Sequence, residues 1–209
     1  GIPELLEINL RHRDVLICFD SDIHINTKVQ EAMFSLAALL CNRGATPKVV
    51  ALPCELDGRK NGVDDFLARH GAEALKRLIG IAQVAGFLKE GEFVRLWTPE
   101  PQNDHLVAQM VLTVMEGLYA VNPRLGTFKW ETRQWSRLPG RHPLRHPIHQ
   151  WMDMMQFHTR GKGRIDSIVA EVGAYLEEWD WDNPELMSFE NGTYNITSDI
   201  FVRSHDPEE

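Results

Sequence analysis

Cysteine is scarce, long apolar runs are lacking, and positive charge is in deficit. The 209 residues hold three cysteines, Cys18, Cys41 and Cys54, an odd number with no C-x-x-C spacing. That pattern suggests neither a disulfide framework nor a thiolate zinc site, and a reducing cytoplasm is the compartment expected. No apolar run approaches the ~20 residues of a membrane span, so no membrane association is expected. Lys and Arg number 22 against 30 Asp and Glu, a formal net charge of −8. Such a balance argues against a protein that coats nucleic acid non-specifically, but a local basic patch remains compatible with it. No phosphate loop of the form G-x-x-x-x-G-K-[ST] occurs. Internal repeats and low-complexity runs are absent too. The chain opens on Gly-Ile-Pro and ends on HDPEE straight after a strand-like segment, so a fragment of a longer protein is expected.

What is present is organised around Val15–Asp22, VLICFDSD. A near-continuous apolar run reads as a buried parallel strand. Such a strand delivers the residues after it to the carboxyl edge of the sheet, where open α/β folds bind ligands. At two-residue spacing Asp20 and Asp22 point the same way. Two carboxylates in one small volume call for a proton or a cation between them, and a hard divalent cation such as Mg2+ suits oxygen donors. Apolar residues at three- and four-residue spacing predict a helix over Thr27–Asn42, with Thr27 as N-cap. A second strand follows at Lys48–Leu52, which makes a right-handed βαβ unit. The loop Cys54–Gly62 is polar and turn-rich. Short helices follow at Val63–Arg69 and Ala72–Ile79, separated by Gly71.

Residues 81–101 read as a linker containing one short strand, Phe93–Trp97. A helix is expected over His105–Leu118, then short strands from Tyr119 to Trp135. GRHPLRHP reads as a loop broken by proline. Helices are expected at Gln150–Thr159 and Arg164–Trp179, and a hairpin turning at Asn191-Gly192 closes the chain. The fold class is therefore α/β over residues 1–80, a parallel Rossmann-like sheet domain, followed by a smaller α+β segment over 102–209.

FDSD with its strand, the helix KVQEAMFSLAALLCNRGA, the strand VVALP and the loop-helix KNGVDDFLARHG together resemble the toprim-like domains of phage- and plasmid-type DNA primase–helicase proteins. The likeness runs from about Ile2 to Leu78. The segments YAVNPRLGTFKWETRQWSRL and FENGTYNITSDIFVRSHDPEE are similar to the region that precedes the ATPase in the replicative helicases of the same elements. The resemblance implies metal-dependent nucleotidyl or phosphoryl transfer in DNA replication, with Asp20 and Asp22 holding Mg2+. It implies DNA, expected to be single-stranded, and nucleotides as partners, and oligomerisation through the parent helicase. ATP would enter only through a motor domain beyond this chain. In that family a glutamate on an earlier strand completes the site. The strand Val15–Phe19 would then be the middle strand of its domain, and this chain alone is expected to be inactive.

Beside this pair stands a second cluster, Lys60, Asp64 and Asp65. Asp64 is a third candidate carboxylate for the metal and Lys60 a candidate phosphate contact; the plainer reading is a helix start with acids complementing the dipole. From Lys129 to Arg164 eight basic residues face two acids, with Trp130, Trp135, Trp151 and Phe157 interleaved. Arg141, Arg145, Lys162 and Arg164 are candidate nucleic-acid contacts, whereas Trp130 and Trp135 are expected to fill a small core. His142, His146 and His149 lack the partners a zinc site needs. Two other readings compete. In a haloacid-dehalogenase-like phosphatase Asp20 would be the nucleophile and Asp22 the acid/base, but the motif spacing is too short. In a non-catalytic module the same domain would only bind DNA or dock on a helicase.

Overall fold

The computed structural model describes residues 7–123, 125–131, 134–157, 161–176, 178, 186–189, 192–195 and 200–202. The chain is mixed α/β, with five α-helices and several small sheets among these residues. Strand β1 (Asp14–Phe19) and β2 (Thr46–Ala51) are parallel, paired from Asp14↔Thr46 to Phe19↔Ala51. Helix α1 (Thr27–Asn42) makes the crossover between them. Its cap is Asn26, whose side chain accepts from the Lys28 N–H at 3.1 Å, one position before the Thr27 expected. A β-region backbone at Asn26 leaves its amide oxygen free to reach the first-turn donor. Glu7–Leu10 form turn and coil.

Strand β2 is buried on both faces, as parallel strands are. Val49 packs with Ile17, Met33, Phe34, Ala37 and Leu40 beneath α1. Val50 and Leu52 face the opposite way, into a core built with Phe66, Leu78, Val107, Val111, Ile148, Trp151 and Ile168. Helix α2 (Val63–Gly80) is two helical stretches joined at Gly71, whose φ of 74° and ψ of 176° break the regular geometry. That conformation is essentially reserved for glycine, so the break expected there is real.

Residues 81–101 hold three short strands. Strand β3 (Gln83–Val84) pairs antiparallel with β2, giving the order β1-β2-β3. Strands β4 (Gly86–Lys89) and β5 (Glu92–Arg95) form a hairpin. At Gly86 a Cβ would meet the Val94 carbonyl at 2.3 Å and the Phe93 ring at 2.5 Å, so only glycine fits. Trp97 closes over the α1 side of the sheet, 3% exposed. The strand expected at Phe93–Trp97 overlaps β5, whereas β3 and β4 left no signal in the sequence. Among the described residues strand β1 lies at the edge of this sheet, and Leu16 on it is 46% exposed.

Helix α3 (Asp104–Met115) is apolar nearly all round and central to the second core. Strands β6 (Tyr119–Asn122), β7 (Gly126–Glu131) and β8 (Gln134–Arg137) form an antiparallel sheet in which Trp130 stands opposite Trp135. Helix α4 (Arg145–Met154) starts five residues earlier than expected and contains Pro147. Proline in a first turn costs little because those N–H groups have no intrahelical acceptor. Arg145, His146 and His149 therefore belong to a helix and not to a loop. Helix α5 (Lys162–Tyr175) packs on α3 and α4. Strands β9 (Leu186–Phe189), β10 (Gly192–Asn195) and β11 (Ile200–Val202) form the last antiparallel sheet. Asn191 of the expected turn lies outside the described residues. No described helix is long and apolar enough to cross a membrane.

Candidate metal and phosphate site at the strand edge

Strand β1 ends at Phe19, and the chain turns at once into a 3₁₀ turn, Ser21–His24. Asp20 occupies the cap position of that turn, yet its carboxylate makes no capping hydrogen bond. It stays exposed, so local capping does not account for it. Asp22 is held differently. Its side chain is 12% exposed, and Oδ2 accepts from Lys60 Nζ at 2.7 Å and from Asn26 Nδ2 at 3.4 Å. The Lys60 ammonium beside it, helped by Asn26 and opposed by burial, holds the Asp22 carboxyl below the usual carboxylate range. The same pairing raises the Lys60 ammonium above its ordinary value.

Asp64 approaches from the start of α2. Gly62 is the N-cap of that helix; a Cβ on it would lie 2.9 Å from Asp64 Oδ1 and 3.4 Å from Asp20 Oδ1. The two carboxylates thus flank one small residue from opposite elements, and its lack of a side chain keeps the space between them open. Asp65 is exposed on the first turn of α2, where an acid complements the helix dipole. On the other side of Asp22 an open cleft is lined by Ile25, Asn26, Thr27, Lys28 and Lys60. The N-terminus of α1 faces into it, and backbone N–H groups there favour anions.

The oxygen-only donors Asp20, Asp22 and Asp64 suit a hard cation. Among the described residues no group of three or more His, Cys, Asp and Glu side chains is gathered closely enough to hold a metal. Mg2+ often takes only one or two carboxylates and completes its shell with water and phosphate oxygens. Asp20 and Asp22 fit that open arrangement, with the Lys60 ammonium placed where a cation on Asp22 would compete.

The loop that carries Lys60 is pinned from below. Trp151 on α4 is fully buried, and its Nε1 donates to the Cys54 carbonyl at 2.9 Å. Gly58, with φ of 83°, lies against Met154. His24 donates its Nδ1–H to the Pro99 carbonyl, 2.7 Å away, and its ring packs on Trp97 and Phe157. Burial pushes this imidazole down to about 4 against the opposing Pro99 and Leu52 carbonyls.

Four polar residues escaped the sequence reading. Ser21, Glu55 and Asn61 are buried at 3%, 7% and 0% exposure, and His70 beside them is half-buried. Only the position of Ser21 between the two aspartates and of Asn61 next to Lys60 hinted at them. The basic candidates are dispersed. Arg141 is exposed in the loop before α4. Arg145 pairs with Asp166 on α5. Arg164 is 12% exposed and spends its guanidinium on Asp104 Oδ1 at 2.7 Å, Glu100 Oε1 at 3.1 Å and the Pro101 carbonyl. It fastens α5 to the start of α3, which is a structural use of its charge. The Lys162 side chain lies outside the described residues.

Residues 2–74 match the family described as Domain of unknown function (DUF3854). The match spans β1 through most of α2 and includes Asp20, Asp22, Lys60 and Asp64. No curated protein and no solved structure matches the chain.

Proposed function

We propose that this chain carries a toprim-like, metal-dependent nucleotidyl or phosphoryl transfer domain of a mobile-element DNA replication primase–helicase. In this reading Asp20 and Asp22, with Asp64 beside them, hold Mg2+, and Lys60 takes a phosphate oxygen. One observation carries it: Asp20, Asp22, Lys60 and Asp64 converge from two separate loops on the carboxyl edge of a parallel strand pair. That is where open α/β folds place ligands. A bound Mg2+ would polarise a phosphate and neutralise charge developing on the leaving oxygen. Lys60 neutralises Asp22 until a cation takes over, and its ammonium is then free to meet the phosphate. Arg141 remains a candidate DNA contact, while Arg145 and Arg164 are engaged in ion pairs within the chain.

The test is binding of a nucleoside triphosphate by equilibrium dialysis with and without Mn2+. Binding should depend on the metal and fall at least tenfold in Asp20→Asn and Asp22→Asn. Metal-independent binding, or binding untouched by both substitutions, would sink the assignment. A second reading, a non-catalytic module that docks on DNA or a helicase, draws on the same Lys60–Asp22 pair. An ammonium already seated on the carboxylate suffices for a purely structural turn. Tight DNA binding with no response to Mn2+ would favour it.

A further inference from the structure

We propose that Asn61 is a positioning residue for the aspartate pair. It fixes Asp20 and Asp22 by clasping Ser21, the residue between them. The inference rests on the reading of Asp20 and Asp22 as cation ligands.

The geometry is specific. Asn61 is fully buried, yet every polar group it has finds a partner. Its N–H donates to Ser21 Oγ at 2.9 Å, and its carbonyl accepts from the Ser21 N–H at 2.9 Å. Two loops 40 residues apart are thus joined by a reciprocal pair of hydrogen bonds. On the side chain, Nδ2 donates to the Pro53 carbonyl at 2.9 Å and Oδ1 accepts from Arg69 Nη1 at 2.6 Å. A cationic donor on one side and a carbonyl acceptor on the other leave the amide one orientation. Arg69 is itself held by Glu55 Oε1 at 3.4 Å, and the same carboxylate oxygen meets His70 Nε2 at 2.8 Å. Hydrogen bonds from His70, Asn61 and Arg69 hold the Glu55 carboxyl down to about 2 in spite of its burial. Glu55 is therefore an anion that anchors Arg69, and Arg69 anchors Asn61.

The consequence falls on the site. Ser21 cannot shift without breaking two buried hydrogen bonds, so the turn that separates the Asp20 and Asp22 carboxylates is set by Asn61. The loop that supplies this clasp also supplies Lys60, one residue earlier. Both ends of the Lys60–Asp22 pair are therefore registered by one residue. A site held in this way meets its cation without reordering the loop, which is how supporting residues raise affinity.

The experiment is Mn2+ titration of the 209-residue chain followed by electron paramagnetic resonance, with thermal melts on every variant. Asn61→Ala and Ser21→Ala should each weaken Mn2+ binding at least tenfold. Arg69→Met should weaken it several-fold, and Arg69→Lys should restore most of it by supplying a donor to Asn61 Oδ1. Val114→Ala, in the helical core away from the loop, should lose stability but bind Mn2+ within twofold of the parent. If Asn61→Ala fails to fold, Ser21→Ala and the Arg69 pair carry the test. Parental affinity in these variants would overturn the inference and leave the cation site standing. An equal loss in Val114→Ala would reduce the role of Asn61 to general stability and overturn it too. No Mn2+ binding by the parent chain would overturn the site reading and the inference together.

Discussion

Glu55 shows what a buried acid does to this molecule. Its carboxyl titrates near 2 in the folded chain against an ordinary 4.5. A lowered folded value means that the unfolded chain binds the proton more tightly. The stabilisation is therefore complete above pH 4.5 and is lost as pH falls from there toward 2. Discounted for partial solvent access, the shift corresponds to about 1–2 kcal/mol. Urea midpoints measured from pH 6 to pH 2.5 should decline over that window, and Glu55→Gln should flatten the decline while lowering the midpoint at pH 6. Residues like this are the hardest to read from sequence. Asp20 and Asp22 were legible because a near-continuous apolar strand runs into them. Glu55 meets His70 across 15 positions and Asn61 meets Ser21 across 40, which leaves no local pattern.

Elements were more legible, for physical reasons that differ case by case. The bounds of β1 and α1 follow the apolar periodicity, because each buries one continuous stripe. The kink in α2 was visible as Gly71. Its backbone lies in the glycine-only region and nothing crowds it within 4 Å. Gly71→Ala should therefore destabilise through backbone strain alone, by about 1–3 kcal/mol, measured by chemical denaturation. Helix α4 was misplaced because Pro147 reads as a breaker, and only its place in the first turn excuses it. Of the hairpin β4–β5 only the second strand was legible, as Phe93–Trp97. Trp151 on α4 joins helix to loop through one buried hydrogen bond. Trp151→Phe keeps most of the packing and removes that bond, and should cost about 1 kcal/mol.

At the scale of the molecule, one apolar cluster draws on residues from both sides of 80–102. Val50, Leu52, Phe66 and Leu78 from the first part pack with α3, α4 and α5 in one apolar cluster. Arg164 adds a buried clamp across the same seam. A chain truncated after Gly80 would expose those side chains. It should show secondary structure in far-ultraviolet circular dichroism without the near-ultraviolet signal of fixed packing. A sharp, cooperative melt of residues 1–80 alone would refute the shared core. The sequence could not reveal it, since apolar periodicity says which face of a helix is buried but not against what.

The tie between Trp151 and Cys54 has a further meaning. The loop bearing Lys60 rests on a helix that lies almost one hundred positions later in the chain. The footing of that loop is therefore only as firm as the packing of α4. Lys60 thus owes its place beside Asp22 in part to a side chain from the far half of the sequence.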